Sequence, residues 1–594
     1  IACRHIGSAA RKQGAVTRAG NTTMDNQRLL IWAVFAMLAW VTWQAWMEDY
    51  GPQPAEAPAV ADGAEPAVTP PADVELPALG DTGVDAPDVL PDVMPDVDGT
   101  TATAATTAAP GVRVVTDVLD VNISLEGGTL QGATLFGYPV AKDRPDDLVQ
   151  LLDTDQNQLG LVQTGLRAAG EGPEPNHRAV FTGTADSFEL GSSDALVVPL
   201  SWSDDAGISV QKNFRFARGN YTIVIEQTVT NNSEQPWRGA EYAQLQRRSY
   251  EQKRSMFDVD SYSTDGLIIY DGDKSDKLAR DDLLDDGPYS IATEQGWFGS
   301  IQHHFVNAVV PEPGTSQRYS ISVRGNVATA NAIGSAITVA PGESKTFVTT
   351  VFVGPKLQDQ LEAIDPSLKL TVDYGWLTIL SQPLFWLLSK AYGIFGNWGV
   401  AISAVTFLIK LLFYKLTESS GRSMAKMRNL QPRLKALQER YKDDRQQLSQ
   451  AMMDLYKREK VNPAAGCLPI LIQMPFFLAF YWVLLESVEM RQAPFALWIT
   501  DLSSRDPLFI LPLIMGAAMF FQQKLNPQVG DPMQVKVMQV MPIIFTAFFA
   551  FFPSGLVLYW VTNTVLSIAQ QWKINKVVEA EAKQPKGSKK PKKD

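Results

Sequence analysis

The sequence predicts a polytopic α-helical membrane protein with six transmembrane helices and a large periplasmic antiparallel β-sandwich domain. Three observations carry this prediction. Long apolar segments occur once near the start and five times after residue 397. Between Gly111 and Pro366, short β-branched and aromatic runs alternate with turn signals instead. The charge also divides: residues 367–594 hold 27 Lys/Arg against 15 Asp/Glu, whereas residues 1–366 hold 25 against 49. Parts of opposite sign usually sit in different surroundings.

Residues 1–23 are polar, precede Met24 and show no hydrophobic period, so they are expected to be a non-native or unstructured extension. Residues 29–46 carry no charge, follow Arg28 and precede Glu48 and Asp49. The run is too long for a cleaved signal peptide, which makes 24–47 an N-terminal transmembrane anchor. Residues 48–110 contain 13 Asp/Glu, 11 Pro and no Lys or Arg, the composition of a disordered, self-repelling linker. Residues 111–366 form the sandwich; Tyr221, Ile223 and Ile225 share one apolar strand face.

Residues 374–396 place Ile379, Leu380, Leu384, Leu387 and Leu388 at helical spacing, with Thr378, Ser381, Gln382 and Ser389 between them. An amphipathic helix lying in the membrane interface is expected. The remaining spans are expected at 397–416, 468–490, 507–523, 538–552 and 555–572. Loop 417–467 has 11 Lys/Arg against 6 Asp/Glu, and the tail 573–594 has 8 against 3. Both are therefore cytoplasmic, both termini lie inside, and the acidic sandwich lies outside.

Composition excludes several classes. Cys3 and Cys467 are too few and too far apart for a disulfide framework or a zinc site, and no Gly-rich phosphate loop precedes a helix. No cofactor and no metal is expected.

Lys410 is the strongest local signal. A mid-helix lysine costs ~2.5–3.5 kcal/mol on insertion scales, so something must solvate it. No Asp or Glu lies at its depth in the other core spans; Glu486 and Glu489 fall at the opposite edge. Ser403, Thr406 and Lys410 share one helix face, and Asn563, Ser567, Gln570 and Gln571 make a second polar stripe. Gln473 enters near the cytoplasmic start of its span. One reading is a polar cavity open to the cytoplasm; another is a snorkelling lysine beside helix-joining hydrogen bonds. In the loop, Met424, Met427, Leu430, Leu434 and Leu437 recur every three or four residues, as do Leu448, Met452 and Leu455. This predicts an antiparallel helical hairpin with basic outer faces, including Arg433, Lys435 and Arg440.

NWGVAISAVTFLIK (397–410), SMAKMRNLQPRLKALQERY (423–441), KVNPAAGCLPILIQMPFFLAFY (460–481), RQAPFALWITDLS (491–503) and FFPSGLVLYWVTN (551–563) resemble the YidC membrane protein insertase family of Gram-negative bacteria. The resemblance implies a five-helix insertase core that places nascent hydrophobic segments into the inner membrane, alone or with the Sec translocon, as an assembly chaperone and without nucleotide hydrolysis. It implies a hydrophilic groove whose cation, usually arginine in the family, is Lys410 here. It also implies substrate exit along the third and fifth spans past Phe477, Tyr481 and Trp482, where the family commonly has two tyrosines in place of Tyr481–Trp482. Implied partners are nascent inner-membrane proteins, the Sec translocon and membrane lipids. The hairpin and basic tail would serve the ribosome and the signal-recognition-particle receptor. No catalytic residue is implied.

Two other classes are weighed. A solute transporter using Lys410 would usually show internal repeats, and none is visible. A sugar-active enzyme, suggested by the likeness of the family's sandwich to mutarotases, needs a histidine and a carboxylate to converge. His177, His303 and His304 are available, but no motif unites them.

Overall fold

The computed structural model describes residues 111–169, 172–248, 266–442, 444–459, 461, 468–525 and 532–583. The expected extension, anchor and linker (1–110) and the end of the basic tail lie outside the described residues.

Strand-forming sequence builds the first half as two sheets. Among the described residues one has eleven strands, whose main path runs Tyr289–Thr293, Gln317–Arg324, Val327–Gly334, Trp237–Arg248, Gly160–Ala168, Leu130–Ala141, Leu119–Ser124, Gly111–Val115 and Ser187–Glu189. The other has nine, centred on Phe305–Pro311, Ser344–Pro355, Thr222–Asn231 and Ile208–Ala217. Neighbouring strands are antiparallel, except that Gly111–Val115 pairs parallel with Ser187–Glu189. The period of two seen in the sequence is real: along Thr222–Asn231, Ile223, Ile225, Gln227 and Val229 are buried while the residues between them are half-buried. The apolar members of this face pack with Phe214, Trp297, Phe298 and Phe352 in one core.

A short helix, Gln358–Ile364, and a 3-10 turn, Pro366–Thr371, lead out of the sandwich. Asp365 caps that turn by accepting from the Ser367 amide at 2.7 Å, and the Trp297 indole donates to the Ser367 hydroxyl at 2.7 Å. The helical half follows as α1 (Thr378–Phe395), α2 (Trp398–Leu412), α3 (Tyr414–Asn429), α4 (Gln431–Arg440), α5 (Arg445–Arg458), α6 (Leu468–Glu486), α7 (Ile510–Leu525), α8 (Pro532–Phe549) and α9 (Ser554–Lys583). Gly396, left-handed at φ 62°, ends α1, and the Asn397 side chain then caps α2 by accepting from the Val400 amide at 3.0 Å. Side chains of α1, α2, α6, α7 and α9 share a second core that includes Leu388, Ile402, Phe480, Met515 and Leu556.

Four details differ from expectation. Helix α2 stops at Leu412, and a bend of 68° separates it from α3. Among the described residues no single helix is both long and apolar enough to cross a membrane; α2 and α3 meet that requirement only together. Helix α9 continues to Lys583, inside the region read as tail, because Ile574 and Val578 pack on Ala425 and Arg428 meets Glu579 at 2.9 Å. In α1, Ser381 faces inward rather than lying on a polar outer face. Its hydroxyl donates to the Ala479 carbonyl of α6 at 3.4 Å, while Ile379, Trp386 and Ile394 face outward. A serine is small enough to let two helices approach and can bond across the contact.

Candidate functional site

Helices α2 and α9 bring together both polar stripes read from the sequence. Lys410 is buried, and its ammonium donates to the Ser567 hydroxyl at 2.7 Å. Ser567 in turn donates to its own helix at the Asn563 carbonyl, 2.7 Å away. Two turns along α2 from Lys410, the Ser403 and Thr562 hydroxyls lie 3.3 Å apart, and one turn away Thr406 is buried with its hydroxyl on the Ile402 carbonyl at 2.7 Å. Towards the bend, Gln570 donates to the Tyr414 carbonyl at 3.3 Å, and Gln571 to Asn575 at 3.0 Å. Among the described residues no carboxylate pairs with Lys410. Gln473 is half-buried on α6 and joins none of these bonds.

The aromatic side chains lie on α6. Phe477 packs against Trp560 at 4.9 Å and Phe549 at 6.3 Å between ring centres; Tyr481 contacts Trp482 at 5.5 Å and Phe552 at 5.9 Å. These contacts join α6 to α8, the segment that follows it, and α9. Gly516 on α7 faces Thr546 of α8, and a side chain there would collide with the threonine hydroxyl.

The hairpin residues divide differently. Met427 is buried and Met424 packs beside it with Leu434, Met452 and Tyr456, so the methionines form the hairpin's interior. Arg433 pairs with Glu459 at 2.7 Å. Lys435 and Arg440 are exposed.

Sequence reasoning missed a polar junction between sandwich and helices. The rings of His303 and His304 stack at 3.8 Å, and each Nε2 lies on the Leu485 carbonyl at the end of α6, at 2.9 and 3.1 Å. Burial holds His304 well below the ordinary histidine range, hence neutral and able to donate. Lys356 lies 3.9 Å from Glu486, both buried; Arg491 donates to the Pro139 carbonyl at 2.7 Å. No periodicity links such residues; the His-His pair is the one local signal. His177 lies elsewhere, its Nδ1 2.7 Å from the Tyr242 hydroxyl, and burial pushes it down to about 4. Among the described residues the two histidine groups do not converge.

Comparison with known proteins agrees with this two-part organisation. The profile of the YidC periplasmic domain matches residues 111–387, and that of the 60Kd inner membrane protein matches 390–582. The membrane protein insertase YidC of Thioalkalivibrio sulfidiphilus is 45% identical over 578 residues, covering 94% of this chain and all of that one. That of Methylococcus capsulatus is 45% identical over 563 residues, covering 94% and 99%. A crystal structure of an active YidC insertase with its first transmembrane domain resolved aligns at TM-score 0.37 and 20% identity, covering 78% of this chain and 92% of that one. The chain belongs to the YidC membrane insertase family, which is not a family of catalytic enzymes.

Proposed function

We propose that this chain is a membrane protein insertase and assembly chaperone of the bacterial inner membrane. It moves nascent hydrophobic segments from a cytoplasm-facing polar groove into the bilayer, alone or with the Sec translocon, and hydrolyses no nucleotide. The observation that carries this reading is Lys410: a buried cation with one hydroxyl partner and no carboxylate among the described residues. An acidic or polar stretch of an entering chain supplies the missing counter-charge. Because that stretch enters a wet half of the membrane, it crosses a thinner apolar barrier. Burial of the following apolar segment, at ~25 cal/mol per Å², then drives release into lipid. The aromatic contacts of Phe477, Tyr481 and Trp482 line the exit side. Both termini are cytoplasmic and the sandwich periplasmic. Exposed Lys435, Arg440 and the basic tail meet the ribosome or the signal-recognition-particle receptor.

The test uses purified protein in sealed liposomes with a two-span substrate synthesised in their presence. Protease protection of the substrate's translocated loop, above that in empty liposomes, is the expected outcome. Protection equal to that of empty liposomes, with and without added Sec translocon, overturns the reading.

A further inference from the structure

The junction between the two halves encloses a cleft of about 870 Å³, within the ~300–1,000 Å³ usual for ligand sites. One wall is sandwich: Val140 and Lys142 from one hairpin, and Gln302 to Phe305 from another. The other wall is the connection from α6 to α7, with Arg491, Thr500, Asp501 and Arg505, closed by Phe551 and Pro553 before α9. Lys142, Arg491 and Arg505 give it three fixed positive charges. The carboxylate that lines it, Asp501, is oriented locally through Oδ1, accepting from the Gln492 and Ser503 amides at 3.0 and 2.8 Å and from the Ser503 hydroxyl at 2.7 Å, and its single negative charge leaves the cleft net positive. Lys142 donates to the Thr500 and Gln492 carbonyls, which orient its ammonium without neutralising it. Arg505 is exposed, and among the described residues neither it nor Lys142 has an ion-pair partner.

The apolar lining selects among anions. Val140, Phe305 and Phe551 share the cleft with these cations, and exposed Leu508 and Phe509 directly follow the lining residue Pro507 at the entry to α7. A free phosphate has no use for that surface, whereas a lipid offers a phosphodiester to the cations and acyl chains to the rest. We infer that this cleft binds the headgroup of an anionic phospholipid from the outer leaflet, seating the sandwich against the membrane. The inference rests on the membrane placement proposed above.

The experiment uses the full chain in neutral detergent micelles, with native mass spectrometry counting phosphatidylglycerol retained as the lipid is titrated. Wild type should hold one lipid more tightly than Arg505→Gln by about fivefold, and than Lys142→Gln/Arg505→Gln by about 25-fold, the effect expected of cations near a lipid surface. Arg505→Lys should restore binding. Arg505→Glu, at an exposed position, keeps the test valid where the double variant fails to fold, and should bind more weakly than Arg505→Gln. Equal retention by wild type and Arg505→Glu overturns the site. Displacement of the lipid by millimolar inorganic phosphate overturns the lipid as its source. Insertion measured in parallel separates the two readings: lipid retention without insertion leaves the site standing and removes the proposed function, and the reverse removes only the site.

Discussion

Lys212 in the sandwich and Lys410 in the helical half are both buried, yet their ammonium groups meet different surroundings. Lys212 points inward from the strand Ile208–Ala217 and donates to the Gly127 and Thr164 carbonyls, both at 2.7 Å, between the rings of Phe181 and Phe214 at 5.7 Å. Rigid backbone fixes its partners, and the aromatic faces take up part of its charge. Lys410 has one rotatable hydroxyl, on a helix contact lined by further polar side chains. A lysine held by fixed acceptors serves the fold. In the function proposed above, a lysine left with a single rotatable partner is the one that meets an entering chain.

The largest expected effect tests the first half of that contrast. Lys212→Ala cuts a long stem out of a packed core and leaves two carbonyls without this donor. We expect a loss of about 3 kcal/mol from the sandwich transition in urea, followed by tryptophan fluorescence of the full chain. Lys410→Ala should cost under about 1 kcal/mol in the same assay, since one hydroxyl bond is lost, outside the sandwich. Insertion per folded molecule should be unchanged by Lys212→Ala. Equal losses of stability at the two lysines would erase the distinction.

The two lysines also differ in how far the sequence announced them. Lys410 stood out because charge is rare in an apolar run, and helical spacing alone set it on one face with Ser403 and Thr406. Its partner Ser567 was legible for the same reason, though not which stripe residue would make the bond. Lys212 carried a weaker signal. The period of two sets it on one strand face with Ile208, Val210, Phe214 and Phe216, but alternation does not say what its ammonium would meet; the Gly127 and Thr164 carbonyls come from distant parts of the chain. The junction was hidden for a related reason. His304 and Leu485, or Arg491 and Pro139, lie far apart in the chain and belong to no shared period. Helix ends were the third gap: apolar composition marks where a span is greasy, while α9 goes on for as long as Ile574, Val578 and Glu579 find partners on α3.

The next effect in size tests the second half of the contrast. Lys410→Glu places like charge against an acidic entering segment and should lower the protected fraction in liposomes at least about tenfold. Lys410→Arg should stay within about twofold, because the charge remains and the guanidinium adds donors. Loss of the same size in both variants would mean that shape, not charge, matters at this position. Ser567→Ala sharpens the point. The hydroxyl only steadies the ammonium, so its removal should slow insertion by about threefold and leave the preference for acidic substrates intact. A larger loss would make Ser567 part of the recognition surface.

The smallest effect is a slope with pH in the sandwich transition, and within the sandwich it centres on Lys212. Burial lowers its ammonium to about 7 in the folded sandwich, whereas the unfolded chain keeps the proton to about 10.4. Between those values the unfolded state binds more protons, so stability must rise as pH rises. Below pH 7 the sign is mixed. Burial raises Glu241 to about 7, so its contribution falls with rising pH, while His177, held down to about 4, contributes in the opposite sense. Above pH 10 the tyrosines Tyr221, Tyr242 and Tyr319, all pushed up by burial, reverse the trend again, because the unfolded chain gives up those protons first. Among the shifted groups of the sandwich, the window from about pH 7.5 to 9.5 singles out the lysine. There the urea midpoint should climb by the equivalent of about 1.2 kcal/mol for each pH unit, and the climb should vanish in Lys212→Met, which keeps the stem and removes the titrating group. A slope that survives Lys212→Met would assign the protons to another group, and would take from Lys212 the cost of burial that makes its fixed carbonyls necessary.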